Sequence, residues 1–142
     1  MSVILGIDPG ADTGLAIFID GKLVRLDTIL PHSIGHSIGE LLPHRVVFED
    51  SRLQSHAWNA QKKANRGAAL AAARSVGQVD AWCKLITLVC ADLGIASHGI
   101  SPKAKGAKRG AENFAIYTGW THSSNQHERD AAMVAWPYRG AK

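Results

Sequence analysis

The order of apolar segments predicts an α/β fold built on a mixed five-stranded sheet, a three-strand antiparallel meander plus parallel strands, with helices on both faces. Three observations carry this. Three short strand-like runs open the chain, and Asp20-Gly21 sits between the second and the third. Two further strand-like runs, Arg45 to Asp50 and Ile95 to Ile100, each follow a segment of helical character. Hairpins followed by strand-and-helix units give a mixed sheet covered by helices.

Ser2 to Asp8 is a short apolar run rich in β-branched residues, which predicts a strand. Pro9 to Gly14 is a turn, and Leu15 to Ile19 is the second strand. Asp20-Gly21 is a two-residue hairpin signal, so Lys22 to Ile29 returns antiparallel as the third. Pro31 ends it, and Ser33 to Leu42 predicts a short helix stopped by Pro43. The fourth strand, Arg45 to Asp50, is reached through that helix and is expected parallel to the first. Leu53 to Gly67 is polar and basic and predicts irregular chain or a frayed helix start. Ala68 to Leu93 is alanine-rich with helical spacing and predicts a long, well-buried helix stopped by Gly94. After the fifth strand, Pro102 predicts the first turn of a helix running to about Thr118. Ser123-Ser124-Asn125 predicts the cap of a last helix, ended by Pro137.

At 142 residues and 46% apolar composition the chain is expected to be a single domain, residues 1–142, with its own core. A net charge of +4 is compatible with nucleic acid without identifying it. The distribution is more telling. Between Ser51 and Ser75 lie Arg52, Lys62, Lys63, Arg66 and Arg74 with no acid, and between Ser101 and Gly110 lie Lys103, Lys105, Lys108 and Arg109, again with no acid. Cys83 and Cys90 are two helical turns apart, about 10 Å, too far for a disulfide. They predict buried free thiols in a reducing compartment, and no Cys pair has zinc spacing. No cationic leader precedes an apolar stretch, and no apolar stretch could span a bilayer. The expectation is a soluble cytoplasmic protein with no membrane partner.

Three acidic motifs hold the chemistry. Val3-Ile4-Leu5-Gly6-Ile7-Asp8 and Arg45-Val46-Val47-Phe48-Glu49 are apolar runs that end in a carboxylate. His127-Glu128-Arg129-Asp130 sets an imidazole and a carboxylate three residues apart, on one helix face. Acids at the ends of buried strands are costly to bury unpaired, which points to a function. Clustered carboxylates are hard oxygen ligands for Mg²⁺, with Mn²⁺ as a substitute. Two such ions about 4 Å apart can activate a water and relieve charge on a phosphodiester. The candidate catalytic and metal-binding set is therefore Asp8, Glu49, His127 and Asp130. Asp50 is expected on the opposite strand face from Glu49, and Glu128 is expected to point away from Asp130.

Gly6-Ile7-Asp8-Pro9-Gly10 with Thr13-Gly14, then Phe48-Glu49-Asp50, then His127-Glu128-Arg129-Asp130-Ala131-Ala132, resemble the RuvC-type Holliday junction resolvases of the RNase H-like superfamily. The likeness runs over nearly the whole chain, in order, and points to a compact or phage-like member. Gly77-Gln78, and Ser101-Pro102 with the lysines that follow, are weaker matches. The resemblance implies an RNase H-like fold and a homodimer. It implies two Mg²⁺ per site and paired nicks across four-way DNA junctions. Asp8, Glu49 and Asp130 carry over as metal-binding catalytic residues, and His127 falls where the family has Asp or His. One position departs. Three residues after the second acid the family often has an aromatic wedge, and here stands Arg52, with Trp58 as the candidate substitute.

The cations Arg52, Lys62, Lys63, Arg66, Arg74, Lys103, Lys105, Lys108 and Arg109 are the candidate DNA contacts. Other readings of the same residues stay open. One is an RNase H-like nuclease acting on structured RNA. Another is a catalytically silent junction-binding module. A third is an actin-like kinase or ATPase, against which the length argues.

Overall fold

The hairpin predicted at Asp20-Gly21 is present, with both residues at positive φ, 50° and 81°. This turn matches the right-handed twist of the strands it joins. A computed structural model describes residues 1–54, 65–104 and 106–140. The strands are β1 (Val3–Asp8), β2 (Thr13–Ile19), β3 (Lys22–Ile29), β4 (Arg45–Glu49) and β5 (Ala96–Ile100). The helices among the described residues are α1 (Ile34–Leu41), α2 (Arg66–Leu93), α3 (Ala111–Thr118) and α4 (Gln126–Ala135).

The sheet order is β3-β2-β1-β4-β5. β1 pairs antiparallel with β2, and β2 with β3. β4 runs parallel to both β1 and β5. The sequence therefore predicted the sheet correctly, including the parallel pairing that follows from a helical connection. Alternation along the strands splits the core between the two faces. Leu5, Ile7, Leu15, Ile17, Val46 and Phe48 face Ile34 and Ile38 of α1 and Cys83, Ile86 and Cys90 of α2. Ile4, Ala16, Phe18 and Val47 face Phe114 of α3 and Ala131, Ala132 and Ala135 of α4. Each large aliphatic or aromatic side chain fully removed from water contributes about 1.5–3 kcal/mol.

Two expectations need correction. The long helix is present, but it is not well buried throughout: its buried residues are Cys83, Ile86 and Cys90, and Leu70 near its start is 54% exposed. Alanine makes a helix by propensity alone and does not report burial. Nor does a continuous helix start at Pro102. A single 3₁₀ turn covers Pro102–Ala104, and α3 starts only at Ala111 after Gly110 as N-cap. Lys103, Lys108 and Arg109 thus precede the helix, and the first turn holds Glu112, the sign its dipole favours. Among the described residues no helix is long and apolar enough to cross a membrane.

Candidate active site

Strand parity places the first two acids. In β1, Ile4 faces α4, Leu5 faces α2, and the alternation returns Asp8 to the α4 side. In β4, Val47 faces α4 and Phe48 faces α2, so Glu49 is on the α4 side too. The parallel register pairs Ile7 with Phe48, and Asp8 and Glu49 are the next residues along. Two carboxylates from segments far apart in sequence therefore end neighbouring strands on the same face.

α4 brings the third. It can lie close to the sheet because Gly6 and Gly14 have no Cβ: one built on Gly6 would strike the Ala131 carbonyl, and one on Gly14 the His127 carbonyl. Gly14 is the strand partner of Asp8, so this close approach seats the first turn of α4 beside Asp8. The helix start is fixed in turn. The Asn125 side chain accepts from the Glu128 N–H at 2.9 Å, and Glu128 accepts from the Asn125 N–H at 3.0 Å. The same two side chains grip Thr28 of β3: the Asn125 amide donates to its hydroxyl at 2.7 Å, and the hydroxyl donates to Glu128 at 3.1 Å. Glu128 is outside the acid cluster, as expected, and serves as its anchor.

In this arrangement His127 Nδ1 lies 3.8 Å from Asp8 Oδ2. Asp130 is 4% exposed; its Oδ1 accepts from the Gln126 amide at 2.8 Å, and its Oδ2 lies 3.4 Å from Lys108 Nζ. Arg129 ties the surrounding loops together, donating to the carbonyls of Arg109 and Ser124 and to Gln126 Oε1. That last bond orients the Gln126 amide so that its nitrogen faces Asp130. Gln126 was not singled out in the sequence, although its spacing of four from Asp130 on a helix was the available signal. Behind Asp8, the Thr13 hydroxyl is fully buried and donates to the Gly10 carbonyl at 2.8 Å, closing the turn.

The cations divide into three groups. Lys108 reaches the acids. Arg66, Arg74 and Lys103 are exposed. Arg109 lies 3.9 Å over the Tyr117 ring and donates to Asn113 at 2.6 Å, while Arg52 is held by Asp50. Lys62, Lys63, Lys105 and Trp58 lie outside the described residues.

Asp50 faces the other way, as strand alternation requires. It is 4% exposed and accepts three hydrogen bonds from Arg52, at 3.1 Å from the backbone N–H and 2.9 Å from both Nε and Nη2. Burial alone would raise this carboxyl, but the Arg52 hydrogen bonds and charge outweigh it and hold the pKa below the ordinary value. The thiols respond to burial without such compensation. Cys83 is raised by burial, only partly offset by hydrogen bonds from Ser51, and Cys90 is pushed up to about 11.

A metal fits this donor set by chemistry. Asp8, Glu49 and Asp130 offer hard oxygens on one face, and the ammonium of Lys108 already shows where positive charge is accepted. Among the described residues no three His, Cys, Asp or Glu side chains are grouped closely enough to hold a metal ion, so the fit rests on the chemistry of the donors.

The comparisons with known proteins bear on the fold. No protein-family model matches the chain, and no curated protein matches it in sequence. Among solved structures, T. thermophilus RuvC in complex with a Holliday junction substrate superposes with a TM-score of 0.62 at 18% identity, covering 96% of this chain and 91% of that one. The fold is that of RuvC. A second Thermus thermophilus RuvC structure agrees, with a TM-score of 0.61 at 15% identity over 94% of this chain and 91% of its own. The RNase H-like sheet implied by the sequence motifs is therefore present, on a chain that shares few residues with those RuvC structures.

Proposed function

We propose that this chain is a single nuclease domain acting as a homodimeric, structure-selective DNA endonuclease that resolves four-way junctions by paired nicks. The observation that carries this reading is that Asp8 and Glu49 end neighbouring strands on the face that α4 covers, with His127 of α4 lying 3.8 Å from Asp8 and Asp130 one turn further along the helix. The RuvC fold supports it, as does Lys108, 3.4 Å from Asp130.

Asp8, Glu49 and Asp130 would hold Mg²⁺, or Mn²⁺ in its place, with His127 at the margin. The metal would supply an activated water and relief of charge on the phosphodiester. The protein's own groups set the geometry. Gln126 fixes the Asp130 carboxylate by one oxygen, and the bonds of Asn125 and Glu128 to Thr28 tie the start of α4 to β3. His127, half-exposed beside Asp8, is placed to accept or return a proton at an imidazole nitrogen. Lys108 is placed to exchange its contact with Asp130 for a substrate phosphate. Arg66, Arg74 and Lys103, with Lys62, Lys63 and Lys105, would contact the DNA backbone, where cations position the duplex without reading its sequence.

The test uses labelled four-way, forked and linear DNA and structured RNA, with and without Mg²⁺. Symmetric nicks on the four-way junction, abolished in Asp8→Asn while folding and junction binding persist, are expected. Faster RNA cleavage would replace this reading with an RNA-directed nuclease. Junction binding without nicking would replace it with a silent binding module.

A further inference from the structure

The turn after Glu49 is tied down by β5 in the plane of the sheet and by α2 from the face opposite the acid's side chain. The Asp50 N–H donates to the Ile100 carbonyl of β5 at 2.8 Å. The Asp50 carboxylate takes three bonds from Arg52, and Arg52 Nη2 also donates to Thr87 of α2 at 3.2 Å. Thr87 donates in turn to the Cys83 carbonyl, and the Cys83 thiol donates to the Glu49 carbonyl at 3.5 Å. Ser51, next along, donates to Asp80 of α2 at 2.6 Å. The chain on both sides of the Glu49 side chain is thus fixed to β5 and to α2.

Room for this network depends on one residue of β5. A Cβ built on Gly99 would lie 2.7 Å from Asp50 Oδ2 and 2.9 Å from its Cβ. Gly99 pairs with Phe48 in the register, so the gap opens on the α2 face, where Asp50 lies. Any larger side chain there would push the carboxylate out of its place.

We propose that Asp50, Arg52 and Gly99 form a positioning clip that sets the Glu49 carboxylate for metal binding. Arg52, 35% exposed and turned to the α2 side, is then a positioning residue and neither a junction wedge nor a phosphate contact. The reach of a strand-end carboxylate toward an ion varies with the position of the turn that follows it. Supporting groups of this kind typically alter metal affinity or activity about 10- to 100-fold when removed. The inference rests on the nuclease reading of the acids.

The test compares wild type with Gly99→Ala, Arg52→Ala, Arg52→Lys and Thr87→Val. Three quantities are read: Mn²⁺ binding to the free protein by water-proton relaxation, junction affinity without metal, and the Mg²⁺ dependence of junction cleavage. Gly99→Ala and Arg52→Ala are expected to weaken Mn²⁺ binding and raise the Mg²⁺ midpoint about tenfold or more. Metal-free junction affinity should stay within about twofold, because no phosphate contact is removed. Arg52→Lys, which keeps the charge but loses the fork, should fall in between. Wild-type metal binding and cleavage in these variants would overturn the clip while leaving the nuclease reading in place. So would a loss of metal-free junction affinity in Arg52→Ala with metal binding intact, which would make Arg52 a DNA contact. If wild type fails to cleave, the nuclease reading fails and the clip with it. Should Gly99→Ala not fold, Arg52→Lys and Thr87→Val, which add no atom against the backbone, decide by the same readings.

Discussion

Asp8 and Asp130 are 9% and 4% exposed, and Cys83 and Cys90 are 0% and 1% exposed, yet burial has opposite meanings for the two kinds of residue. The carboxylates are held by named polar partners and by each other's surroundings. The Cys90 thiol is held by apolar packing, the Cys83 thiol also donates to the Glu49 carbonyl, and burial keeps both protonated. With Cys90 pushed up to about 11, the thiolate is about one part in a thousand at pH 8. Both cysteines should therefore resist iodoacetamide in the native protein and react once urea unfolds it, as mass spectrometry would read. The linkage has a definite sign. A folded-state pKa raised from 9.0 leaves stability intact below pH 9 and lowers it as pH climbs toward 11. Urea midpoints measured between pH 8 and 11 should fall more steeply for wild type than for Cys90→Ala. Equal slopes would mean that the thiol titrates as it does in the unfolded chain. The burial of the cysteines was legible because apolar residues surround them at helical spacing. The bonds of Gln126 to Asp130 and of Arg52 to Asp50 were not read, since each depends on rotamers that the sequence does not specify.

At the level of elements, the placement of α4 decides whether three acids become one site. Its cap was legible, because Asn125 three residues before Glu128 is a local signal. Its grip on Thr28 was not, because that contact joins residues 97 apart in the chain. Asn125→Ala should cost about 1–2 kcal/mol in urea unfolding, from loss of the cap. Gly14→Ala is expected to do more. Its added methyl meets the His127 carbonyl, so the helix must shift, at a cost of about 1–3 kcal/mol. For the proposed nuclease, cleavage should fall further than stability, because the shift separates His127 and Asp130 from Asp8. A Gly14→Ala protein with wild-type cleavage would show that the helix position is not critical. The same scale explains the two errors of prediction. α2 was read as buried because alanine satisfies a helical pattern in any environment. The segment before Ala111 was read as helix because Pro102 can open one, while Gly106 and Gly110 carried the stronger contrary signal.

At the scale of the whole molecule, Asp8 and Glu49 end neighbouring strands, and the exposed Lys108 lies 3.4 Å from Asp130. For a protein that binds DNA through such cations, affinity should fall linearly with the logarithm of salt concentration. Lys108→Ala should reduce the magnitude of that slope by about 1. Arg109→Ala should change it less, because its guanidinium already rests on Tyr117 and Asn113. A slope near zero for wild type would exclude the cationic stretch as a phosphate-binding surface. The topology of the sheet was readable from hairpin chemistry and the order of apolar runs.

The three acids lie on β1, β4 and α4, and α4 also covers Ile4, Ala16, Phe18 and Val47 on one face of the sheet. During synthesis the acids emerge in the order Asp8, Glu49, Asp130. A nascent or proteolytically shortened chain that ends before Gln126 has an uncovered apolar face and lacks the third carboxylate. Completing the core and completing the site are the same event. For an enzyme proposed to cut DNA, that is a built-in safeguard: a fragment too short to fold is also too short to nick a chromosome.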